Sequence, residues 1–340
     1  SRRQRQMCIR DRIILDGFME ECLEGHSFKK LLFGDMKLNY TEMKEDFSVE
    51  GKDLDSLNCI FKMLGYDSSK VDIGERAFYE ALNRGIEIKG GSGIYRCNII
   101  KVNNGILEDF TGGDLDKNIG EVLKELKVEG GYFYPCYQYK NLLLLNEIVQ
   151  EKLNPPHFSV GKKVEEIMPE NKRLRNIINY SYEFFKDRDL EGLMLWPWGA
   201  SGEVKLKKYN KESVLIGGID LICGMGKALG MIVVQPKGAT GEWNSALHNK
   251  LEGVLEWLPK ANNIILHVNG FDELSHRKDF KGKIQFLEKV KNELLFPLLN
   301  LKGINIRITC DHRTDSFTGS HEKGYVPYLC LLYTSPSPRD

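Results

Sequence analysis

Between Ser213 and Cys310 the chain alternates short apolar β runs with helical stretches. SVLIGGID, MIVVQP, NIILHVNG and INIRITC read as strands, and LICGMGKALG, HNKLEGVLEWL and KGKIQFLEKVKNELLFPLL read as helices between them. Helices of this length joining strands imply right-handed crossovers and a mostly parallel sheet. That pattern constrains the fold class to α/β more than any other feature. Such sheets place their chemistry just beyond the carboxyl ends of the strands. Asp16, Asp272 and Asp311 all stand at that position: RIIL (12–15) stops at Asp16-Gly17, HVNGFDELSH contains Asp272 and His276, and RITCDH ends in Asp311-His312.

Earlier in the chain the pattern differs. SLNCIFKMLG (56–65) carries Leu57, Ile60, Phe61 and Leu64 on one helical face, with Gly65 as its stop, and ERAFYEALNRG (75–85) is a second helix. After Lys89, GGSG (90–93) marks a turn or hinge. Short strands, YRCNIIKV and GILEDF, follow, then the helix GEVLKELKVE and the aromatic stretch YFYPCYQYK. NPPH (154–157) cannot lie inside a helix, and 163–190 is charged and helical. These features predict a discontinuous core, 13–87 with 194–329, interrupted by a smaller α+β domain at 88–193. SRRQRQMCIRDR (1–12) and CLLYTSPSPRD (330–340) resemble translated sequencing adapters, so both ends are expected to be non-native. The true protein is expected to begin a few residues before Ile13 and to continue past Leu329.

Length and charge remove several function classes. The 340 residues hold 48 basic and 48 acidic side chains, so no net charge draws the chain to nucleic acid or to an acidic membrane. The longest apolar runs, such as GLMLWPWGA (192–200), are too short to span a bilayer. Eight cysteines without a C-x-x-C pair point to reduced thiols and a cytoplasmic setting.

Six side chains form the candidate site: Asp16, Asp272, His276, Asp311, His312 and His321. His276 follows Asp272 by four residues, which puts both on one face of a helical turn. Mixed carboxylate and imidazole ligation suits manganese, zinc or cobalt better than calcium. Ser56 opens its helix, where unpaired N–H groups favour phosphate. It is either a nucleophile on a metal or simply an N-cap, with Asp53 and Asp55 as alternative caps. Arg76 and Arg96 could fork onto phosphate or carboxylate oxygens, and Arg76 could equally form a structural salt bridge. CGMGKALG (223–230) fails as a dinucleotide loop, because its glycines lie inside a helix-like run.

At these residues the chain resembles the archaeal-type, 2,3-bisphosphoglycerate-independent phosphoglycerate mutases of the alkaline phosphatase superfamily. The resemblance runs through ILDG (14–17), MLGYD (63–67), ERAFYEA (75–81), YRCN (95–98), FYP (133–135), NPPH (154–157), WPWG (196–199), GGID (217–220) and GATG (238–241). It continues in DELSH (272–276), CDH (310–312) and SH-EKGYVPY (320–328). It implies an alkaline-phosphatase-like core and two divalent ions, manganese first, with zinc, cobalt or magnesium as alternatives. One ion would be held by Asp16, Ser56, Asp311 and His312, the other by Asp272, His276 and His321. It further implies that Ser56 carries the phosphoryl group as a phosphoserine. Arg76, Arg96, Lys140 and His157 would bind a small phosphorylated metabolite, with 2- and 3-phosphoglycerate interconverted in glycolysis. A metal-dependent phosphohydrolase or another phosphotransferase of the superfamily is the alternative. The chain departs from the family pattern at DSLNC around Ser56, and at Lys140, where arginine is common. It also departs at Asn269, where Glu is common, and at Phe158, where the family has Asp.

Overall fold

The computed structural model describes residues 10–332 except 117, 210, 211 and 302. The chain forms two compact units: one takes the chain up to Asp72 and from Leu206 onward, the other is Ile73–Lys205.

The first unit is built on a seven-stranded sheet in the order Tyr40–Glu45, Val326–Leu331, Asn305–Thr309, Arg10–Leu15, Asn263–Val268, Ser213–Ile216 and Ile232–Val234. The last five run parallel, and the first two are antiparallel additions at one edge. Parallel strands covered on both faces read as unbroken apolar runs. Ile13, Ile14 and Leu15 are accordingly buried, as is every residue of Asn263–Val268. Leu15 lies opposite Val268 and Ile14 opposite Thr309, so three strands leave the sheet at one edge, just before Asp16, Asp272 and Asp311.

Helices cover the sheet where periodicity predicts them, at Ser56–Met63, Asp220–Ala228 and Leu247–Trp257. The long helix expected over 281–299 is interrupted. Phe280–Val290 passes into a widened turn at Lys291–Leu295 before Phe296–Leu299. Pro297 lacks an N–H and crowds the carbonyl four residues back, so the preceding turn opens. Tyr40–Glu45 escaped the pattern because it is an exposed edge strand, YTEMKE, with charges that discourage pairing with another chain. Its Glu42 accepts from the N–H groups of Phe28 and Lys29 at the start of the helix Phe28–Phe33.

The second unit is a five-stranded antiparallel sheet around Gly93–Asn103. That strand pairs with Lys140–Leu145, Leu193–Ser201 and Ile106–Asp109, and Gly131–Tyr137 pairs with Lys140–Leu145. The helix Lys172–Lys186 buries Leu174, Ile177, Ile178, Phe184 and Phe185. This unit is wider than the expected 88–193. The helix Arg76–Asn83 lies within it, and so does Leu193–Ser201, which joins its sheet rather than resuming the α/β rhythm. GGSG therefore forms a turn inside the unit, not its boundary.

Of the expected foreign ends, Arg10–Arg12 pair with Asn305–Arg307, and Cys330 and Leu331 pair with Arg307 and Ile306. Residues 1–9 and 333–340 lie outside the described residues. Among the described residues no helix is long and apolar enough to cross a membrane.

Candidate metal centre

All seven residues expected to hold metal converge at the carboxyl edge of the first unit's sheet. Ser56 is the first residue of its helix, and Asp55 is the cap: its carboxylate accepts from Asn58 N at 2.8 Å and Asn58 Nδ2 at 2.9 Å. The Ser56 hydroxyl is thereby left free of capping. Its Oγ lies 3.2 Å from Asp16 Oδ1 and 3.2 Å from His312 Nε2. His312 Nε2 is also 3.4 Å from Asp16 Oδ1 and 3.4 Å from Asp311 Oδ2.

The second group is as tight. Asp272 Oδ2 is 3.2 Å from His276 Nε2, as the i, i+4 spacing requires, and Asp272 Oδ1 is 3.4 Å from His321 Nε2. The two imidazoles bring their Nε2 atoms within 3.2 Å of each other. His276 Nδ1 faces Gly319 O at 2.8 Å, and His321 Nδ1 bonds to Leu54 O. A carbonyl only accepts, so each Nδ1 carries a hydrogen, and in the neutral ring each Nε2 is left with a lone pair for a metal. Asp272, His312 and His321 offer ligand atoms within 4.8 Å of one another, and so do Asp16, Asp311 and His312. His312 thus belongs to both groups.

The electrostatics ask for cations. Burial, and then the charges of Asp311 and Asp272, hold Asp16 well above the ordinary carboxylate range. Burial alone would raise Asp272 too, but its bonds to His276 and His321 outweigh that and hold it well below. Burial would lower His276, yet its bond to Asp272 and that carboxylate's charge push it up to about 9. Asp311 Oδ2 is buried without a hydrogen-bond partner among the described residues, although Oδ1 accepts from Gly17 N and His312 N. A buried, unpartnered carboxylate oxygen costs stability unless something positive meets it. Hard carboxylate oxygens beside imidazole lone pairs form a donor set that fits divalent ions.

Residues 48–190 match the family model described as 2,3-bisphosphoglycerate-independent phosphoglycerate mutase, and 198–335 match that of the metalloenzyme superfamily. Curated proteins named 2,3-bisphosphoglycerate-independent phosphoglycerate mutase align along most of the chain. The one from Methanosarcina mazei is 25% identical over 305 residues, 81% of this chain and 76% of that protein. The one from Methanopyrus kandleri is 28% identical over 320 residues, 82% and 74% of the two chains. Along most of its length the chain is similar to these mutases, with the mutase model and the metalloenzyme model matching successive parts of it. Its fold is shared with a Pyrococcus horikoshii protein of known structure (TM-score 0.70, 20% identity, 96% of this chain and 87% of that one). It is also shared with the cofactor-independent phosphoglycerate mutase from Thermoplasma acidophilum (TM-score 0.56, 15% identity, 95% and 89%).

The four residues expected to bind substrate lie in the second unit, and two of them meet Glu80, which sequence reasoning passed over. Arg76 Nε donates to Glu80 Oε1 at 2.7 Å, and Arg96 Nε lies 3.2 Å from Glu80 Oε2. Burial would raise Glu80, but Arg96, Arg76 and then Lys140 hold it below its usual range. Arg96 stacks 4.7 Å from the Trp198 ring, whose Nε1 donates to Asn98, and His157 packs edge-on to Trp198 at 5.2 Å. Lys140 sits 5.3 Å from the Tyr139 ring. Arg76 and Glu80 are four apart on one helix, so their pairing was readable from ERAFYEA.

At the metal centre, sequence reasoning missed His267, Asn269 as a participant, and Thr314. Asn269 Nδ2 donates to Asp16 Oδ2 at 2.7 Å, and its Oδ1 faces His267 Nδ1 at 2.9 Å. Burial pushes His267 down to about 4 and keeps it neutral. Gly17 has φ +63°, and a Cβ there would stand 2.6 Å from Thr314 Oγ1 and 2.7 Å from Asp272 Oδ1.

Proposed function

We propose that the protein interconverts 2-phosphoglycerate and 3-phosphoglycerate by metal-dependent phosphoryl transfer through a phosphoserine at Ser56. The observation that supports this best is that the Ser56 hydroxyl, not used as a helix cap, lies 3.2 Å from both Asp16 Oδ1 and His312 Nε2. Two divalent ions, manganese first, would be held by Asp16, Ser56, Asp311 and His312 and by Asp272, His276 and His321, and would supply Lewis acidity to the phosphoryl oxygens. Ser56 attacks phosphorus in line, and its proton faces Asp16 Oδ1. The bond from phosphorus to the substrate oxygen breaks, and that oxygen takes up the proton that Ser56 gives up, leaving phosphoserine and glycerate. Glycerate then turns and takes the phosphoryl group on its other hydroxyl. Arg76, Arg96, Lys140 and His157 would hold the carboxylate and phosphate oxygens of this small metabolite meanwhile. Glycolysis and a cytoplasmic setting accompany this reading.

A phosphohydrolase is the second reading, favoured by Asn269, Phe158 and Lys140 standing where the family pattern differs. The test is incubation with manganese and 3-phosphoglycerate, followed by mass spectrometry of products and of the Ser56 peptide. 2-Phosphoglycerate and a phosphorylated peptide are expected, and Ser56→Ala should lower turnover by about 10⁴-fold or more. Inorganic phosphate without 2-phosphoglycerate would establish the hydrolase instead, and retained turnover in Ser56→Ala would reject the nucleophile.

A further inference from the structure

We propose that Thr314 is a positioning residue that couples the two ion sites, fixing the tautomer of His312 and the orientation of Asp272 with one hydroxyl. The inference rests on the metal-centre reading above. The Thr314 side chain is fully buried. Its Oγ1 lies 2.7 Å from Asp272 Oδ1 and 3.2 Å from His312 Nδ1. A ligating carboxylate only accepts, so the single hydroxyl proton goes to Asp272. The hydroxyl oxygen can then only accept from His312, which places a hydrogen on Nδ1. The His312 lone pair is left at Nε2, facing Ser56 Oγ, Asp16 Oδ1 and Asp311 Oδ2.

The other two imidazoles differ in a way that matters. His276 and His321 take their Nδ1 partners from the backbone carbonyls of Gly319 and Leu54. His312 takes its partner from a side chain. A substitution at 314 therefore reaches one ligand of each group at once: His312 of the Asp16 group and Asp272 of the other.

The surroundings hold Thr314 in place from both sides. Its N–H donates to Met19 O at 3.0 Å, and its carbonyl accepts from Lys283 Nζ at 3.0 Å. Lys283 is buried and pairs with the buried Glu20 at 3.4 Å, and Glu20 Oε2 in turn accepts from Ser316 N at 2.6 Å. A buried ion pair that pins a loop at two backbone points, Thr314 O and Ser316 N, serves geometry rather than net stability. On the open side, the missing side chain of Gly17 leaves the room that the bond from Thr314 to Asp272 occupies.

The test is calorimetric titration of Mn²⁺ into metal-free protein, without substrate. Thr314→Val keeps the shape and removes the hydroxyl. It should weaken both Mn²⁺ binding events by about tenfold or more, the usual cost of losing a bond behind a metal ligand. Thr314→Ser should restore both to within about threefold. Wild-type affinities in Thr314→Val, or weakening confined to one event, would overturn the proposal while leaving the metal centre intact. Wild-type protein that takes up no Mn²⁺ would instead sink the metal centre, and this inference with it. Melting of the metal-free variants checks folding. If Thr314→Val does not fold, Thr314→Ala makes the same deletion with a smaller side chain, and its contrast with Thr314→Ser decides.

Discussion

In the larger unit Asp16, Asp272 and Asp311 crowd like charges around the sheet edge, whereas in the smaller unit Glu80 stands between Arg76 and Arg96. The first arrangement is electrostatically incomplete: Asp16 is driven up, and Asp311 Oδ2 has no hydrogen-bond partner among the described residues. The second supplies its own counter-ion. On the proposed reading, one region would gain stability from the ions it binds, and the other, already satisfied, would have to share Glu80's arginines with an incoming anion.

The contrast breaks most visibly at Glu80. Glu80→Ala removes the carboxylate from between two arginines and leaves Arg96, only 13% exposed, short of its partner. That should destabilise the protein by about 3 kcal/mol in urea unfolding, and added phosphate should recover more in the variant than in wild type. No loss would mean that the arginines are solvated well enough to need no internal anion.

Next comes the response of the other region to its ligand. Manganese at a hundredfold over its dissociation constant should add about 2.7 kcal/mol of apparent stability per ion, and a chelator should remove it. Asp311→Asn should shrink that increment, while Glu80→Ala should leave it unchanged.

A smaller effect belongs to the cap. Asp55→Ala should cost about 1 kcal/mol, read from thermal or urea melts. It should also slow phosphoenzyme formation, because Ser56 is then the nearest side chain able to cap the helix.

The subtlest effect is on pH dependence. In metal-free protein His276 titrates at about 9, above the 6.5 of an ordinary imidazole. Its pairing with Asp272 is therefore fully present below about pH 6.5 and is lost as pH rises through about 9. Melting temperature of the metal-free protein should fall across that window, and His276→Gln should flatten the fall. With manganese the trend should reverse, because the neutral imidazole is the ligand.

The same contrast explains what was readable in the sequence. Apolar runs such as IIL before Asp16 and NIILHV before Asp272 announce buried parallel strands, and the acid after each run announces the sheet edge. Spacing alone carried Asp272 and His276. Thr314 and Asn269 carry no such mark, because a hydroxyl or amide becomes important only when folding sets it 2.7 Å from a carboxylate far along the chain. The smaller unit was harder to bound. Its helix Arg76–Asn83 and strand Leu193–Ser201 look like core elements in isolation, and only pairing with Gly93–Asn103 assigns the strand. The edge strand Tyr40–Glu45 was invisible for the opposite reason, since it buries almost nothing.

The strand order also dictates a schedule for synthesis. Arg10–Leu15 leaves the ribosome well before its sheet neighbours among the described residues, Asn263–Val268 and Asn305–Thr309. The contiguous unit Ile73–Lys205 is delivered whole before either neighbour exists. The newborn chain must therefore keep its future central strand unpaired while a whole compact unit is made, and a chaperone that shields those apolar residues would hold them until both neighbours emerge.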